Sequence, residues 1–350
     1  MPYNRDMSLK IVIPTAGWGT RLRPHTWSKP KPLIGVAGKT ALDHLLDTFK
    51  TIPAGKDVEY VIIVEPYLGE RQIPAYMQEH HSEANVHYVV QTVMRGQSDA
   101  LWLAHEYLSG PTLVCFSDTL IETDFSFLAG EKADGVAWVK YMPDPRRFGV
   151  AEVDASGRIT RLIEKPEGLE NTLVVVGCYY FREGGELVSA IEEQVKRGTT
   201  KKGEFYLVDA INILIERGAQ MRTQAVEVWL DTGTIEATLA TNRYLLEHGR
   251  ANHTKNKKQK DMEIIPPAFV HASAEIIHSV VGPYASIGPG CKVTASRIED
   301  SILEDGATVE AAALKGSFIG RRARIQGRSA ADPPLAVNIG DDSSIQFQKL

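Results

Sequence analysis

KIVIPTAGWGTRLRP, residues 10–24, decides how the rest of the chain is read. An apolar-leaning run, Ile11 to Thr15, passes directly into Ala16-Gly17-Trp18-Gly19-Thr20, then into Arg21 and Arg23, with Lys29 and Lys31 close behind. A strand that opens into a glycine-rich loop can bring backbone N–H groups close to a phosphate. Neighbouring cations can then hold its outer oxygens. The same pattern also describes an ordinary turn, so the stretch has to be weighed against the remaining sequence.

Outward from that stretch, composition narrows the choice. A chain of 350 residues holds one large domain or two ordinary ones. Its 43% hydrophobic and 24% charged content is that of a soluble globular protein. A formal net charge of −5 argues against a general nucleic-acid binder. No apolar run reaches the length of a membrane span, and MPYNRDMSLK has no apolar signal core, so neither membrane insertion nor export is expected. Cys115, Cys178 and Cys291 are widely spaced and form no metal or disulfide pattern, which fits a reducing cytoplasm.

Residues 9–250 alternate apolar runs with helical patterns. Strands are expected at 10–14, 59–65, 86–91, 112–118, 135–141 and 173–181, and helices at 40–49, 98–108, 186–197, 205–217 and 234–247. Gly218 and Gly249 stand where helices would stop. This indicates an α/β domain with a sheet covered on both faces. In such folds ligands sit beyond the C-terminal ends of the strands. Residues 251–261, polar and cationic, read as a solvated linker. From 262 to 350 the period changes: Val281, Ile287 and Val293 are six apart, as are Ile319 and Ile325, and Ile339 and Ile345. One apolar residue per six suits a short parallel β-helix. The register is interrupted between 294 and 318 and again at Asp332-Pro333-Pro334, so a short, irregular helix of a few coils is expected.

Ala16-Gly17-Trp18-Gly19-Thr20-Arg21-Leu22 and Lys29-Pro30-Lys31-Pro32-Leu33 are followed by Ser117-Asp118, Phe148-Gly149-Val150, Glu164-Lys165-Pro166 and Trp229-Leu230-Asp231-Thr232-Gly233. In this order the motifs resemble the signature of sugar-1-phosphate nucleotidyltransferases, also called sugar-nucleotide pyrophosphorylases. The resemblance covers most of residues 9–250 and is glucose-1-phosphate thymidylyltransferase-like in kind. It implies a Rossmann-like domain with a mixed, mostly parallel sheet. Many members also carry a C-terminal left-handed hexapeptide β-helix. It further implies in-line attack of a sugar phosphate on the α-phosphorus of an NTP, releasing pyrophosphate.

By that resemblance Ala16, Gly17, Gly19 and Thr20 receive the nucleotide. Arg21 holds the β,γ-phosphates, where a planar fork suits the oxygens, and Lys31 lies near the α-phosphate. Asp118 and Asp231 together hold Mg²⁺, a hard cation that suits carboxylates; each could also be a turn or cap aspartate. Lys165 binds the sugar phosphate and Glu164 a sugar hydroxyl, with Gly149 and Gly177 close to the sugar. Gln91 and Gly96 align with the segment that reads the base, and a Gln amide matches the O4/N3–H edge of thymine or uracil. Trp18 departs from the family, which often has a small residue there.

Three readings compete. The first is Mg²⁺-dependent transfer from dTTP or UTP to a glucose-like sugar 1-phosphate, with mannose-1-phosphate guanylyltransferase as its alternative. The second is a β-helix acyltransferase with His271 or His278 as base. The third is a non-catalytic nucleotide-sensing subunit, against which the full set Arg21, Lys31, Asp118, Lys165 and Asp231 argues. The resemblance implies an NTP and a sugar 1-phosphate as partners; composition leads to the expectation of a cytoplasmic protein with no nucleic acid and no membrane, and the β-helix, as an assembly element, to that of a homo-oligomer.

Overall fold

Leu9–Pro14 (β1) is apolar on both faces because it lies inside the sheet, with a parallel neighbour on each side. The computed structural model describes residues 8–53, 57–201, 203–255, 257–259 and 261–347. Contacts divide them into two units, one of residues 1–17 and 45–229, the other of 18–44 and 230–350. The second unit thus takes the cationic loop and the helix after residue 234 together with the repeat region.

Among the described residues the first unit is built on a nine-stranded sheet. Its further strands are Val58–Val64 (β2), Asn85–Val90 (β3), Thr112–Cys115 (β4), Gly135–Tyr141 (β5), Gly149–Val153 (β6), Ile159–Glu164 (β7), Leu173–Phe181 (β8) and Met221–Ala225 (β9). The order is β7-β6-β8-β4-β1-β2-β3, with β5 paired to β8 and β9 to β5. Strands β4, β1, β2 and β3 are parallel, so their C-terminal ends share one edge. Strand β8 runs antiparallel to both β4 and β5. Helices Gln97–Leu103, Gly184–Arg197 and Leu207–Glu216 cover the sheet and bury Leu101, Leu187, Ile191, Leu207 and Ile211 in its core.

The expected strands are all present. The helix expected over 98–108 ends at Leu103 and continues as a 3-10 turn, His105–Tyr107. Leu68–His80 is a helix that the sequence reading did not name; it accommodates Pro74 in its interior. Gly218 (φ 95°) and Gly249 (φ 94°) lie in the left-handed region at helix ends, as expected.

Among the described residues of the second unit, three five-stranded ladders, parallel except for the antiparallel strand Lys257–Gln259 at the start of one, form a parallel β-helix. Its interior rows are Ile264, Val281, Ile298 and Leu314; Val270, Ile287, Leu303, Ile319 and Ile339; and Ile276, Val293, Val309, Ile325 and Ile345. The expected interruption between 294 and 318 is not one. From Val293 the interior positions continue at Ile298, Leu303, Val309, Leu314 and Ile319, in steps of five or six. The shorter corners are closed by residues in the left-handed region: Ala295 (φ 46°) and, one coil on at the same corner, Ala311 (φ 49°), with Asp300 (φ 48°) at another corner. A strict six-residue count misses them because the residue lost is at a corner, where no side chain enters the core. The Asp332-Pro333-Pro334 insertion lengthens one coil without ending the stack, since Phe318–Ile319 pairs onward with Asn338–Ile339.

The expected linker, 251–261, is held by one side-chain amide and by strand pairing. Asn252 exchanges hydrogen bonds with Val270, and Lys257–Gln259 pairs antiparallel with Met262–Ile264. Residues 256 and 260 of that segment, and 348–350 of the repeat region, lie outside the described residues.

Candidate functional site

Strand β1 delivers Thr15, Ala16 and Gly17 to the shared edge of the first unit. Thr15 is tied to β2 through Oγ1 to Ile63 O, 2.7 Å. Gly17 is exposed, and nothing lies within 4 Å of where its Cβ would stand. That open backbone leaves room for a ligand to approach the N–H groups. On the same edge β3 ends at Gln91 and β4 leads to Ser117-Asp118. Asp118, half-buried, sits in the turn directly after β4.

Gln91 is only 3% exposed. Its amide NH₂ donates to Asp99 (3.0 Å) and to Gly96 O (3.4 Å), and Asp99 is paired with Arg95 at 2.7 Å. The donor half of the amide is therefore engaged by the protein. Gly96 has φ 109°, and a Cβ there would stand 2.6 Å from the backbone N and O of Phe205. Close packing is reason enough for this glycine.

At the other end of the edge Gly149 is paired with Glu164, and a Cβ on Gly149 would stand 3.2 Å from Glu164 Oε2. Lys165 adopts φ 46°, which turns it out of β7. Its Nζ lies 3.4 Å from Glu164 Oε1, donates to Tyr206 OH at 3.3 Å and stands 4.9 Å over the Tyr206 ring. Burial raises the Glu164 pKa, against the pull of Lys165 and Lys201. Burial pulls the Lys165 pKa down, but Tyr206 and Glu164 outweigh it and hold the ammonium above its ordinary value. Lys201 Nζ donates to Glu164 O at 2.8 Å. Tyr206 and Lys201 are thus members of this cluster that the motifs did not indicate. The start of the helix at Phe205-Tyr206-Leu207 is the sequence signal for Tyr206, and Lys201 lies just upstream of it. Gly177 (φ 81°) makes the irregularity in β8 beside Phe116, to which its carbonyl is bonded at 3.0 Å.

In the second unit Gly19 (φ 58°) enters a 3-10 turn, Thr20–Leu22, with Thr26 Oγ1 bonded to Gly19 O at 2.8 Å. Trp18 is 48% exposed. Arg21 is exposed, and its Nη2 comes within 3.1 Å of the Cβ position of Gly233. Asp231 Oδ1 accepts from Gly233 N at 2.6 Å, an aspartate turn. The fold thus joins Arg21 to the Asp231-Gly233 turn across some two hundred residues of sequence. Lys31 is half-buried at the start of a second 3-10 turn, Lys31–Leu33. Asp118 and Asp231 offer hard carboxylate oxygens, a donor type that fits Mg²⁺ with its retained waters. His271 shares a 2.8 Å hydrogen bond with Ser273, and His278 is exposed at a coil corner 3.5 Å from Asp261.

An open depression of about 670 Å³ lies at the opposite, N-terminal ends of β2 and β3, lined by Asp57, Glu59, His80, His81 and Glu83 among others. It carries none of the residues above.

Comparison with known proteins points to one chemistry. The nucleotidyl transferase family profile matches residues 10–248. A glucose-1-phosphate thymidylyltransferase of Streptomyces antibioticus is 30% identical, over 97% of this chain and 100% of that protein. One of Streptomyces griseus is 27% identical over 97% and 99%. The solved structure of a UDP-glucose pyrophosphorylase complexed with UDP-glucose superposes with a TM-score of 0.59 at 19% identity, covering 69% of this chain and 100% of that one, which shows a common fold.

Proposed function

Because the chain belongs to the nucleotidyl transferase family, as a sugar-1-phosphate nucleotidyltransferase, we propose that it joins dTTP or UTP to a glucose-like sugar 1-phosphate. Nucleotidyl transfer with release of pyrophosphate is the class of its reaction. One observation carries the assignment of parts: the parallel strands β1, β3 and β4 end on one edge at Ala16-Gly17, Gln91 and Asp118.

The reaction brings two polyanions together, so the site must offset charge before any bond can form. The open backbone at Gly17 and the turn from Gly19 to Thr20 receive the triphosphate. Arg21 grips its outer phosphates through its planar fork. Lys31 lies along the path of the departing pyrophosphate. Lys165 holds the sugar phosphate, with Tyr206 and Glu164 fixing its ammonium, while Glu164 receives a sugar hydroxyl and Gly149 and Gly177 leave space for the ring. Gln91, its NH₂ engaged by Asp99, presents a carbonyl oxygen suited to the N3–H of thymine or uracil. Asp118 and Asp231 would hold Mg²⁺, which when bound neutralises phosphate charge.

Dependence on NTP supports a cytoplasmic setting, as do the free, buried Cys115, Cys178 and Cys291. No helix among the described residues is long and apolar enough to cross a membrane. The protein is proposed to act as a homo-oligomer, an expectation that light scattering can check directly.

The test is pyrophosphate release with Mg²⁺ across dTTP, UTP, GTP, ATP and CTP and a panel of sugar 1-phosphates that includes glucose and mannose. Release that requires both substrates and stops with EDTA is expected, with dTTP or UTP and glucose 1-phosphate the best pair. A best rate with GTP and mannose 1-phosphate would replace the substrate assignment.

A further inference from the structure

The two lysines of Ser28-Lys29-Pro30-Lys31-Pro32 have opposite environments. Lys31 is partly accessible, whereas Lys29 is 0% exposed. An ammonium so buried is tolerated only when paired and hydrogen-bonded. Lys29 Nζ donates to the Glu304 carboxylate and to Asp341 Oδ1 at 2.9 Å, both carried by the β-helix.

Each of those carboxylates also holds the loop elsewhere. Glu304 Oε1 accepts from Gly35 N at 2.9 Å, and Asp341 Oδ2 accepts from Ser28 Oγ at 2.8 Å. The anchors at 28, 29 and 35 bracket Lys31 on both sides. Upstream, His25 stacks on Phe318 with ring centroids 4.0 Å apart and meets Asn338 at 2.6 Å. Leu22 and Ile34 pack against Ile302 and Phe318. The outward row of one β-helix ladder therefore carries the loop, coil by coil.

His25, Glu304 and Asp341 offer ligand atoms within 4.8 Å of one another, a spacing a metal ion could use. The Lys29 ammonium already supplies the positive charge between the two carboxylates, so the cluster is a closed ion network.

We propose that Lys29 is a positioning residue: clamped by Glu304 and Asp341, it presets the loop so that Lys31 meets the triphosphate, making the β-helix a working part of the NTP site. This rests on the reading of Lys31 as a phosphate ligand. Its physical basis is preorganisation, since a displacement of about 1 Å in a reacting group costs on the order of 100-fold in rate.

The experiment compares Lys29→Met with the triple variant Lys29→Met/Glu304→Gln/Asp341→Asn, using Lys315→Ala on the β-helix surface as control. Melting temperature, kcat and separate KM values for NTP and sugar 1-phosphate are measured, with NTP binding by titration. Lys29→Met leaves the buried Glu304 carboxylate without its cation, while Asp341 keeps only Arg321, and is expected to melt early. The triple variant removes all three charges and is expected to recover melting temperature. It should still lose at least about tenfold in kcat/KM for NTP, with the sugar-phosphate KM within about twofold. Recovery of NTP kinetics in step with melting temperature would overturn the proposal by reducing the network to a stabilising role. If the triple variant does not fold, Asp341→Asn alone decides: a raised NTP KM with an unchanged sugar-phosphate KM supports the proposal, and wild-type constants overturn it. A wild-type protein that releases no pyrophosphate would overturn the functional reading instead. NTP titration of the same variants would then still test the loop.

Discussion

Lys165 and His25 show how much a single side chain is set by its surroundings. Lys165 leaves β7 with a positive φ and is steadied by Tyr206 and Glu164, a geometry suited to holding an anion. Lys165→Ala removes a charge-assisted contact of about 1.5–3 kcal/mol. It should raise the sugar-phosphate KM roughly 10- to 100-fold and leave NTP binding intact; steady-state kinetics with each substrate varied in turn will read this. His25, fully enclosed, has its pKa lowered to about 4 by burial, with Asn338 opposing and Lys29 assisting. The unfolded chain takes up a proton below about 6.5, whereas the folded one does so only near 4. The unfolded state therefore binds more protons in that window, and stability falls as pH drops through it, by on the order of 3 kcal/mol. Glu304, raised by burial, works in the opposite sense, and Asp341, held at about 2 by Lys29, Ser28 and the Arg321 N–H against burial, adds its loss only below the ordinary carboxylate range. The expected outcome is that His25→Gln flattens the fall in melting temperature between pH 6.5 and 4.5 relative to the wild type.

At the scale of elements the β-helix is stabilised by rows of apolar residues, each touching the coil before and after. Leu303 lies between Ile287 and Ile319 in one such row. Leu303→Ala should cost about 2–5 kcal/mol, because the stacked coils cannot close over the void; denaturant unfolding measures it. At the start of the helix Gln97–Leu103, Gly96→Ala should lower the yield of folded protein. Its φ of 109° and the Phe205 backbone leave no place for a methyl group. The sheet strands were legible because parallel central strands are apolar on both faces. The helix Leu68–His80 was not, since Pro74 inside it ordinarily signals a break. The β-helix was legible from its six-residue steps, but its continuity was not. Residues such as Ala295 and Ala311 adopt left-handed corners without the glycine that usually announces them.

At the scale of the molecule, the loop that the sequence assigns to the catalytic region packs within the same unit as the β-helix. A chain ending at residue 250 loses Ile302, Phe318, Glu304 and Asp341, which cover Leu22, His25 and Lys29. Such a chain is expected to show little soluble protein or no NTP-dependent turnover; full activity would mean that the loop holds its shape alone. The sequence by itself determined the α/β sheet, the β-helix and the family, because periodicity and short motifs act over neighbouring residues. Only the tertiary structure decided the different fates of Lys29 and Lys31, the junction of Arg21 with the Asp231-Gly233 turn and the Tyr206 support of Lys165. The reason is physical: burial and charge pairing depend on groups brought together from distant parts of the chain, and no local pattern records which of two neighbouring lysines will be desolvated.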